Sequence, residues 1–314
     1  MTTARRGLPL AAIGISVVLW STAFALSDIV LQTGSPAVLS VARFLIALVV
    51  LVPLAARRSG FAATLRAPRT VVLGLTGVTL YYSLTNIGLL FTTPGTVALS
   101  NALLPVLTTV LAVIILHERP PVRTIAGLVL ATAGVVLVAA AGLSVDGGII
   151  LVALGLASYS LYTVLLKEDA DRAGSSDALV LATATAVWGT VLMLPWLLVE
   201  VLAGIAAVPS GWPGIGSLLF LGLVVSAPTL VLWNYGAERL PATISGIAIA
   251  GIPALGYAFA VLLGETPVPV KVIGGVIALG GIVIATLASP RIEPSPPGSA
   301  VMSESAAADG PAEG

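Results

Sequence analysis

The chain has 314 residues, of which 58% are hydrophobic and only 9% are charged. A water-soluble domain carries about 25% charged residues, so this composition indicates a membrane protein with many spans. The 14 basic and 14 acidic side chains cancel, and nucleic acid is not an expected partner because its binding requires a positive field. Since the chain has no cysteine and one histidine, we expect no thiolate chemistry, no clustered Cys/His metal site and no cofactor.

Apolar stretches of the length needed to cross a bilayer divide the chain. A helix rises 1.5 Å per residue, so about 20 apolar residues cross a hydrocarbon core of roughly 30 Å. Such stretches, bounded by charge, Pro or Gly, predict an all-α integral membrane protein with ten transmembrane helices. The predicted spans are 8–26, 36–54, 70–90, 95–116, 122–141, 148–166, 178–199, 215–235, 242–263 and 268–288. Nine spans is the alternative, because Pro209, Gly211, Pro213 and Gly214 interrupt the pattern.

The distribution of basic residues predicts the orientation. Ten spans place both termini and every second loop on one side, which is expected to be the cytoplasmic side because it carries the excess of Lys and Arg. Only Arg43, inside a span, and Lys271, near the start of span ten, fall elsewhere. We therefore expect a multi-pass protein of the cell (inner) membrane, with residues 1–7 as a cytoplasmic N-terminus and 289–314 as a disordered cytoplasmic tail. The basic residues on the predicted cytoplasmic side are Arg5, Arg6, Arg57, Arg58, Arg66, Arg69, Arg119, Arg123, Lys167, Arg172, Arg239 and Arg291.

The two halves of the chain repeat each other with a shift of 147 residues. The matched pairs include Pro94/Pro241, Thr96/Thr243, Leu116/Leu263, Glu118/Glu265, Pro120/Pro267, Gly127/Gly274, Ala131/Ala278 and Gly134/Gly281. Each half, 8–141 and 148–288, holds five spans, and an odd number inserts the second half upside down relative to the first. Inverted repeats are typical of secondary transporters, whose substrate site lies at the repeat interface near the midplane.

With these features the chain resembles the drug/metabolite transporter (DMT) superfamily and, within it, the EamA-type ten-helix transporters. The resemblance implies a monomeric carrier or exporter of small metabolites, commonly amino acids or their relatives. Two positions depart from the family pattern: His117 stands where Gly is usual, and Tyr159 where Trp is frequent. The residues that carry the resemblance are Trp20, Arg43-Phe44, Asn86, Gly88, Leu103-Leu104-Pro105-Val106, Glu118-Arg119, the stretch from Gly127 to Gly134, Gly264-Glu265 and the stretch from Gly274 to Gly281.

Arg43 is the sharpest candidate for a binding residue. Along the helix axis it lies about 3 Å from Leu45, the midpoint of its predicted span, and inserting a charge at that depth costs roughly 2.5–3.5 kcal/mol. No Asp or Glu lies deep in any predicted span, so its partner is expected to be a substrate carboxylate, backbone carbonyls freed at Pro or Gly, or water in a cavity. A structural Arg bonded to a neighbouring helix is an equally weighted alternative.

Aromatic and amide side chains supply the other binding candidates. Trp20 and Tyr159 lie at corresponding depths in spans one and six and are predicted to form two walls of a central cavity, with ordinary helix packing as the alternative. Tyr82 and Asn86 share a face of span three, and Asn101 lies in span four. They are predicted to line the path, with hydrogen bonding between helices as the alternative.

The remaining motifs favour structural roles. Glu118 and Glu265 each precede a proline at a turn, where a carboxylate stabilises the positive end of the following helix dipole. Small residues spaced by four and three predict close packing of spans five and ten against a neighbour, either another span or a second subunit. These residues are Gly127, Ala131 and Gly134 in span five and Gly274, Ala278 and Gly281 in span ten.

The pattern as a whole predicts a secondary transporter, specifically an exporter of small metabolites such as amino acids, that works by alternating access. Its partners are a small-molecule solute and the lipid bilayer. A membrane-embedded scaffold or sensor without transport activity is the alternative. An intramembrane enzyme is less favoured, because the spans contain no constellation of nucleophile, acid and base.

Overall fold

The computed structural model of the chain describes residues 7–117, 119–140, 147–173, 177–237 and 251–288. The regular elements assigned in these ranges are all helical. In chain order the α-helices are α1 (Gly7–Leu31), α2 (Pro36–Ala55), α3 (Phe61–Arg66), α4 (Pro68–Gly74), α5 (Tyr81–Gly88), α6 (Pro94–Ser100), α7 (Leu104–Ile115), α8 (Val122–Ala140), α9 (Gly147–Ala173), α10 (Ala178–Leu202), α11 (Gly211–Phe220), α12 (Ala227–Ala237), α13 (Gly251–Leu262) and α14 (Pro269–Ala288).

Eight helical stretches in the described ranges are long and apolar enough to cross a membrane. They coincide with the first eight predicted spans, and two shorter apolar helices, Gly251–Leu262 and Pro269–Ala285, fall within the last two. Residues 242–250 of predicted span nine lie outside the described residues, so the count of ten stays a prediction. The eight stretches are Gly7–Leu31, Pro36–Ala55, Pro68–Gly88, Pro94–Ile115, Val122–Ala140, Gly147–Leu166, Ala178–Leu202 and Gly211–Trp233.

Three of the spans are not continuous α-helices. π-Helical segments at Leu75–Leu80 and Leu221–Ser226 interrupt spans three and eight, and a 3-10 turn at Asn101–Leu103 interrupts span four. A π-helical turn frees backbone groups from the i→i+4 pattern, and such turns occur frequently at functional sites. In span three the carbonyl of Thr76, within the π-helical segment, accepts a 2.8 Å hydrogen bond from the Ser158 hydroxyl of α9.

The turns after spans four and nine share a backbone feature. His117 has φ 56° and Gly264 has φ 114°, and these two residues are related by the shift of 147. A positive φ is readily adopted by Gly and rarely by other residues. This conformation explains why glycine suits the position, and His117 is tolerated there at some cost in strain.

Helices α8 and α14 pack against each other through their small residues. A Cβ atom placed on Gly134, Gly274 or Gly281 would meet backbone atoms of the facing helix within 3 Å. The stripe in span five therefore faces the stripe in span ten within one chain. Such close backbone approach supplies the van der Waals packing that holds membrane helices together.

Polar contacts join the helix ends on both sides of the bundle. At the predicted cytoplasmic side, Arg69 pairs with Glu168 at 2.7 Å and Asp169 at 3.0 Å, linking α4 to α9. At the other side, the carboxylate of Glu200 in α10 is 5% exposed and accepts hydrogen bonds of 3.2 and 3.3 Å from the backbone N–H of Ala37 in α2. Glu200 thus caps a neighbouring helix, a role that its position in the sequence does not reveal.

Candidate functional site

Three elements meet around Arg43. Its side chain projects from α2 and is 3% exposed. Nε donates a 2.7 Å hydrogen bond to the hydroxyl of Ser226, the last residue of the π-helical segment in span eight. The guanidinium carbon lies 5.0 Å from the ring centroid of Tyr82. Tyr82 is the second residue of α5, which directly follows the π-helical segment of span three. A cation at this distance from an aromatic face is attracted by the ring quadrupole.

One edge of the Arg43 guanidinium is free. In the described part of the chain Nη1 and Nη2 donate no hydrogen bond. The fully buried side-chain polar atoms left without a partner there are the hydroxyls of Thr85 and Thr185, and neither Nη of Arg43 is among them. The bond to Ser226 matches the alternative in which Arg43 is a structural residue bonded to a neighbouring helix. The free edge, in contrast, presents two N–H donors in the fork geometry that binds a carboxylate.

Aromatic rings extend from this point across three helices. Phe44 of α2 contacts Tyr82 with centroids 4.7 Å apart, and Tyr82 contacts Tyr81 at 4.8 Å. Tyr81 then contacts Tyr159 of α9 at 4.9 Å, and Tyr159 contacts Tyr162 at 5.4 Å. We call these five residues the aromatic row. All of its rings except that of Phe44 are half-buried, so the row offers an apolar surface beside a buried cation.

Trp20 belongs to a different group of rings. Its centroid lies 5.2 Å from that of Trp233 in α12, and it packs on an apolar cluster that includes Ala23 and Val30. In the described residues the ring contacts of Trp20 do not join those of Tyr159. Whether the two rings form opposite walls of one cavity stays a prediction.

The two candidate amides make different contacts. Asn86 is 3% exposed, and its Nδ2 donates a 2.8 Å hydrogen bond to the Ser40 hydroxyl, which joins α5 to α2. Asn101 donates to the carbonyl of Val97, one turn earlier in its own helical stretch, at 2.9 Å. The Asn86 contact corresponds to the alternative of hydrogen bonding between helices, whereas the Asn101 contact stays within span four. Lining roles for both residues stay predictions.

Of the two turn carboxylates, Glu118 lies outside the described residues. Within the described residues Glu265 accepts no hydrogen bond from a backbone N–H of the first turn of α14, the helix that follows it, and contacts that turn only through the side chain of Lys271. Its carboxylate accepts hydrogen bonds from the backbone N–H of Gly95 at 2.7 Å, the Thr93 hydroxyl at 2.6 Å and the Lys271 ammonium at 2.9 Å. The helix whose positive end it meets is therefore α6, which begins at Pro94.

Sequence reasoning missed Ser226 and Tyr81, whose ring contacts those of Tyr82 and Tyr159. The available signal for Ser226 was a hydroxyl within the apolar stretch Val224-Val225-Ser226-Ala227. That signal is weak, because most hydroxyls in such stretches bond to the carbonyl four residues earlier in their own helix, as Thr229 does here. For metals, the described residues hold no group of three or more His, Asp or Glu side chains able to bind an ion.

Comparison with known proteins adds independent findings. The sequence profile of the EamA-like transporter family matches residues 8–140 and again 146–287. A protein of Streptantibioticus cattleyicolor named as a probable terminal-alkyne amino-acid exporter is 31% identical over 87% of this chain and 91% of its own length. The uncharacterized transporter YyaM of Bacillus subtilis is 29% identical over 69% of this chain and 72% of its own length.

A solved crystal structure shares the fold. It superposes with a TM-score of 0.66 and 22% sequence identity, covering 92% of this chain and 99% of that one. The apolar helices together with the transporter relatives indicate a multi-pass membrane protein that moves a small-molecule solute and is not an enzyme. From the two profile matches and the 31% identical exporter, the chain belongs to the EamA-like transporter family.

Proposed function

We propose that the protein is a secondary transporter that exports small carboxylate-bearing metabolites, such as amino acids, across the cell membrane. The observation that carries this proposal is the free edge of the buried Arg43 guanidinium. A buried cation without a counterion is costly, and an incoming carboxylate supplies the missing charge in a bidentate geometry. Binding of the correct solute therefore relieves an unfavourable feature of the empty site.

The surroundings of Arg43 favour this role. Ser226 fixes Nε from one side and the Tyr82 ring supports the guanidinium plane, so the two Nη groups are held in a defined orientation. The aromatic row beside them suits an apolar side chain on the solute. One relative is named as a probable terminal-alkyne amino-acid exporter. Such a solute combines a carboxylate with an apolar group, in agreement with this site.

We propose alternating access between two inverted five-helix repeats, 8–141 and 148–288. Three features support the repeats. The family profile matches the chain twice. The π-helical segments begin at Leu75 and Leu221, 221 − 75 = 146 residues apart, close to the shift of 147 between the halves. The turns at His117 and Gly264 share a positive φ.

The proposal includes ten spans, cytoplasmic termini and a monomeric functional unit. The basic bias of the loops supports the orientation. The pairing of α8 with α14 supports the monomer, because the two small-residue stripes contact each other and are therefore not available to a second subunit. Arg43 and Ser226 belong to different repeats, as expected for a site at the interface between them.

Flux into liposomes tests the proposal directly. Purified protein is reconstituted, and uptake of an L-amino acid is compared with that of its amide and of the amine that lacks the carboxyl group. We expect saturable flux of the amino acid and much slower flux of both analogues, because neither carries a carboxylate. Equal rates for all three solutes would contradict carboxylate selection, and the absence of flux for every solute tested would favour the scaffold alternative.

A further inference from the structure

A buried charged cluster lies at the membrane side that bears the turn after span nine. We call Thr93, Gly95, Glu265 and Lys271 the Glu265 cluster. Within it the Lys271 ammonium donates at 2.9 Å both to Glu265 and to the Thr93 hydroxyl, and the side chains of Lys271 and Glu265 are 7% and 9% exposed. Thr93 and Gly95 come from the first repeat, and Glu265 and Lys271 from the second.

Close contacts next to the cluster join α6 of span four to α13 of span nine. A Cβ atom placed on Gly95 of α6 would lie 2.6 Å from the Tyr257 ring of α13, and one on Gly256 would lie 2.8 Å from Cβ of Ala98. The Tyr257 hydroxyl also accepts a 3.0 Å hydrogen bond from the backbone N–H of Val268. Spans four and nine are therefore in tight contact at this end.

Two features indicate that this contact is able to separate. First, α6 is followed by the 3-10 turn Asn101–Leu103 and by Pro105, and a 3-10 interruption within a helix often marks a hinge. The short α6 segment can therefore move relative to the rest of span four.

Second, a cavity of about 300 Å³ lies next to the pair and is lined by Lys271, Thr93 and Thr96 among other residues. Lys271 therefore borders a space large enough to hold water when it separates from Glu265.

We propose that the Glu265 cluster closes the outer side of the transport path and that its separation, with movement of α6 about the 3-10 turn, opens that side to release solute. The inference rests on the proposed alternating access. It gives Glu265 a role in the transport cycle beyond that of a turn residue. The Lys271–Glu265 pair holds the closed state because separating one partner within the buried site leaves the other charge uncompensated.

Cysteine accessibility tests the proposal without any solute. The chain has no native cysteine, and Ala98 of α6 is fully buried against Gly256 of α13. The variant Ala98→Cys is labelled with a membrane-impermeant maleimide added to the outside of intact cells, alone and combined with Glu265→Gln. We expect the Gln substitution to accelerate labelling about tenfold, within the range of typical coupling between two conformational states. Thr93→Val, which removes the hydroxyl contact and leaves no unpaired charge, is expected to accelerate it less.

Glu200→Gln is the matched control, since Glu200 is also a buried carboxylate that caps a neighbouring helix but has no cation bound to it among the described residues. It is expected to lower the melting temperature without changing the labelling of Ala98→Cys. Unchanged labelling in both Glu265→Gln and Thr93→Val, with folded protein at normal levels, would overturn the proposal and return Glu265 to a structural role. Because no solute enters the assay, this outcome is separate from failure to detect transport.

Discussion

Arg43 and Ser226 are 183 residues apart in the sequence, and a 2.7 Å hydrogen bond joins their side chains. The bond connects span two with span eight, so the candidate site depends on the docking of the two proposed repeats. It occupies one donor of the guanidinium and leaves the opposite edge free. A hydroxyl is suited to this position because it orients the cation without neutralising it.

Ser226→Ala is expected to slow amino-acid flux about tenfold, because a hydrogen bond to a charged group contributes about 1.5–3 kcal/mol. Ser226→Thr keeps the hydroxyl and is expected to retain most of the flux. The measurement is initial uptake in liposomes at equal protein content. Equal losses in the Ala and Thr variants would show that volume at this position matters and the hydrogen bond does not.

Tyr82→Phe and Tyr82→Leu separate the ring from the hydroxyl. The ring face contacts Arg43, so we expect Phe to keep at least half of the amino-acid flux. Leu should reduce flux several-fold, in line with about 0.5–2 kcal/mol for a cation–π contact. A larger loss for Phe than for Leu would instead indicate that the phenolic hydroxyl contacts the solute.

Gly281→Ala and Gly280→Ala form a matched pair on α14. A Cβ on Gly281 would overlap backbone atoms of Ala131 and Gly127, whereas a Cβ on Gly280 meets nothing within 4 Å. We expect Gly281→Ala to destabilise the protein by about 1–3 kcal/mol, as is typical of overpacking, and Gly280→Ala to be neutral or slightly stabilising. Thermal unfolding in detergent measures the difference. Equal melting temperatures would show that α8 and α14 separate easily.

The fold was predictable to the extent that it depends on the length and composition of apolar stretches. The first eight predicted spans coincide with helices, because about 20 apolar residues have few alternatives to a membrane helix. The π-helical segments and the 3-10 turn were not predicted. One of them coincides with close packing between helices, since the Tyr162 ring lies directly against Gly77, and none has a distinctive composition in the sequence.

The site was predictable only in part. Arg43 stands out because a charge near the midplane is costly, and this cost is visible in the sequence alone. Ser226 does not stand out, because its importance comes from a partner 183 residues away. The depths of Trp20 and Tyr159 in the membrane followed from the predicted spans. The neighbours of each ring depend instead on how its helix is rotated about its own axis. Hydrophobic periodicity does not fix that rotation when the whole segment is apolar.

The inverted topology predicts opposite labelling of two turns. Arg119 and Thr266 are both exposed, and the parent chain has no cysteine. We expect Arg119→Cys to react with an impermeant maleimide from the cytoplasmic side only, and Thr266→Cys from the outside only. Labelling of both from one side would contradict the proposed inversion of the second repeat.

Substitution of Arg43 tests the central claim most directly. Arg43→Lys keeps the charge but loses the bidentate fork, and Arg43→Gln removes the charge. Uptake of an amino acid and of a neutral solute is measured in liposomes at matched insertion levels. The account predicts that both variants lose amino-acid flux, about tenfold or more for Gln, while flux of a transported neutral solute changes little. Equal retention of amino-acid flux in both variants would contradict the account and make Arg43 a structural residue.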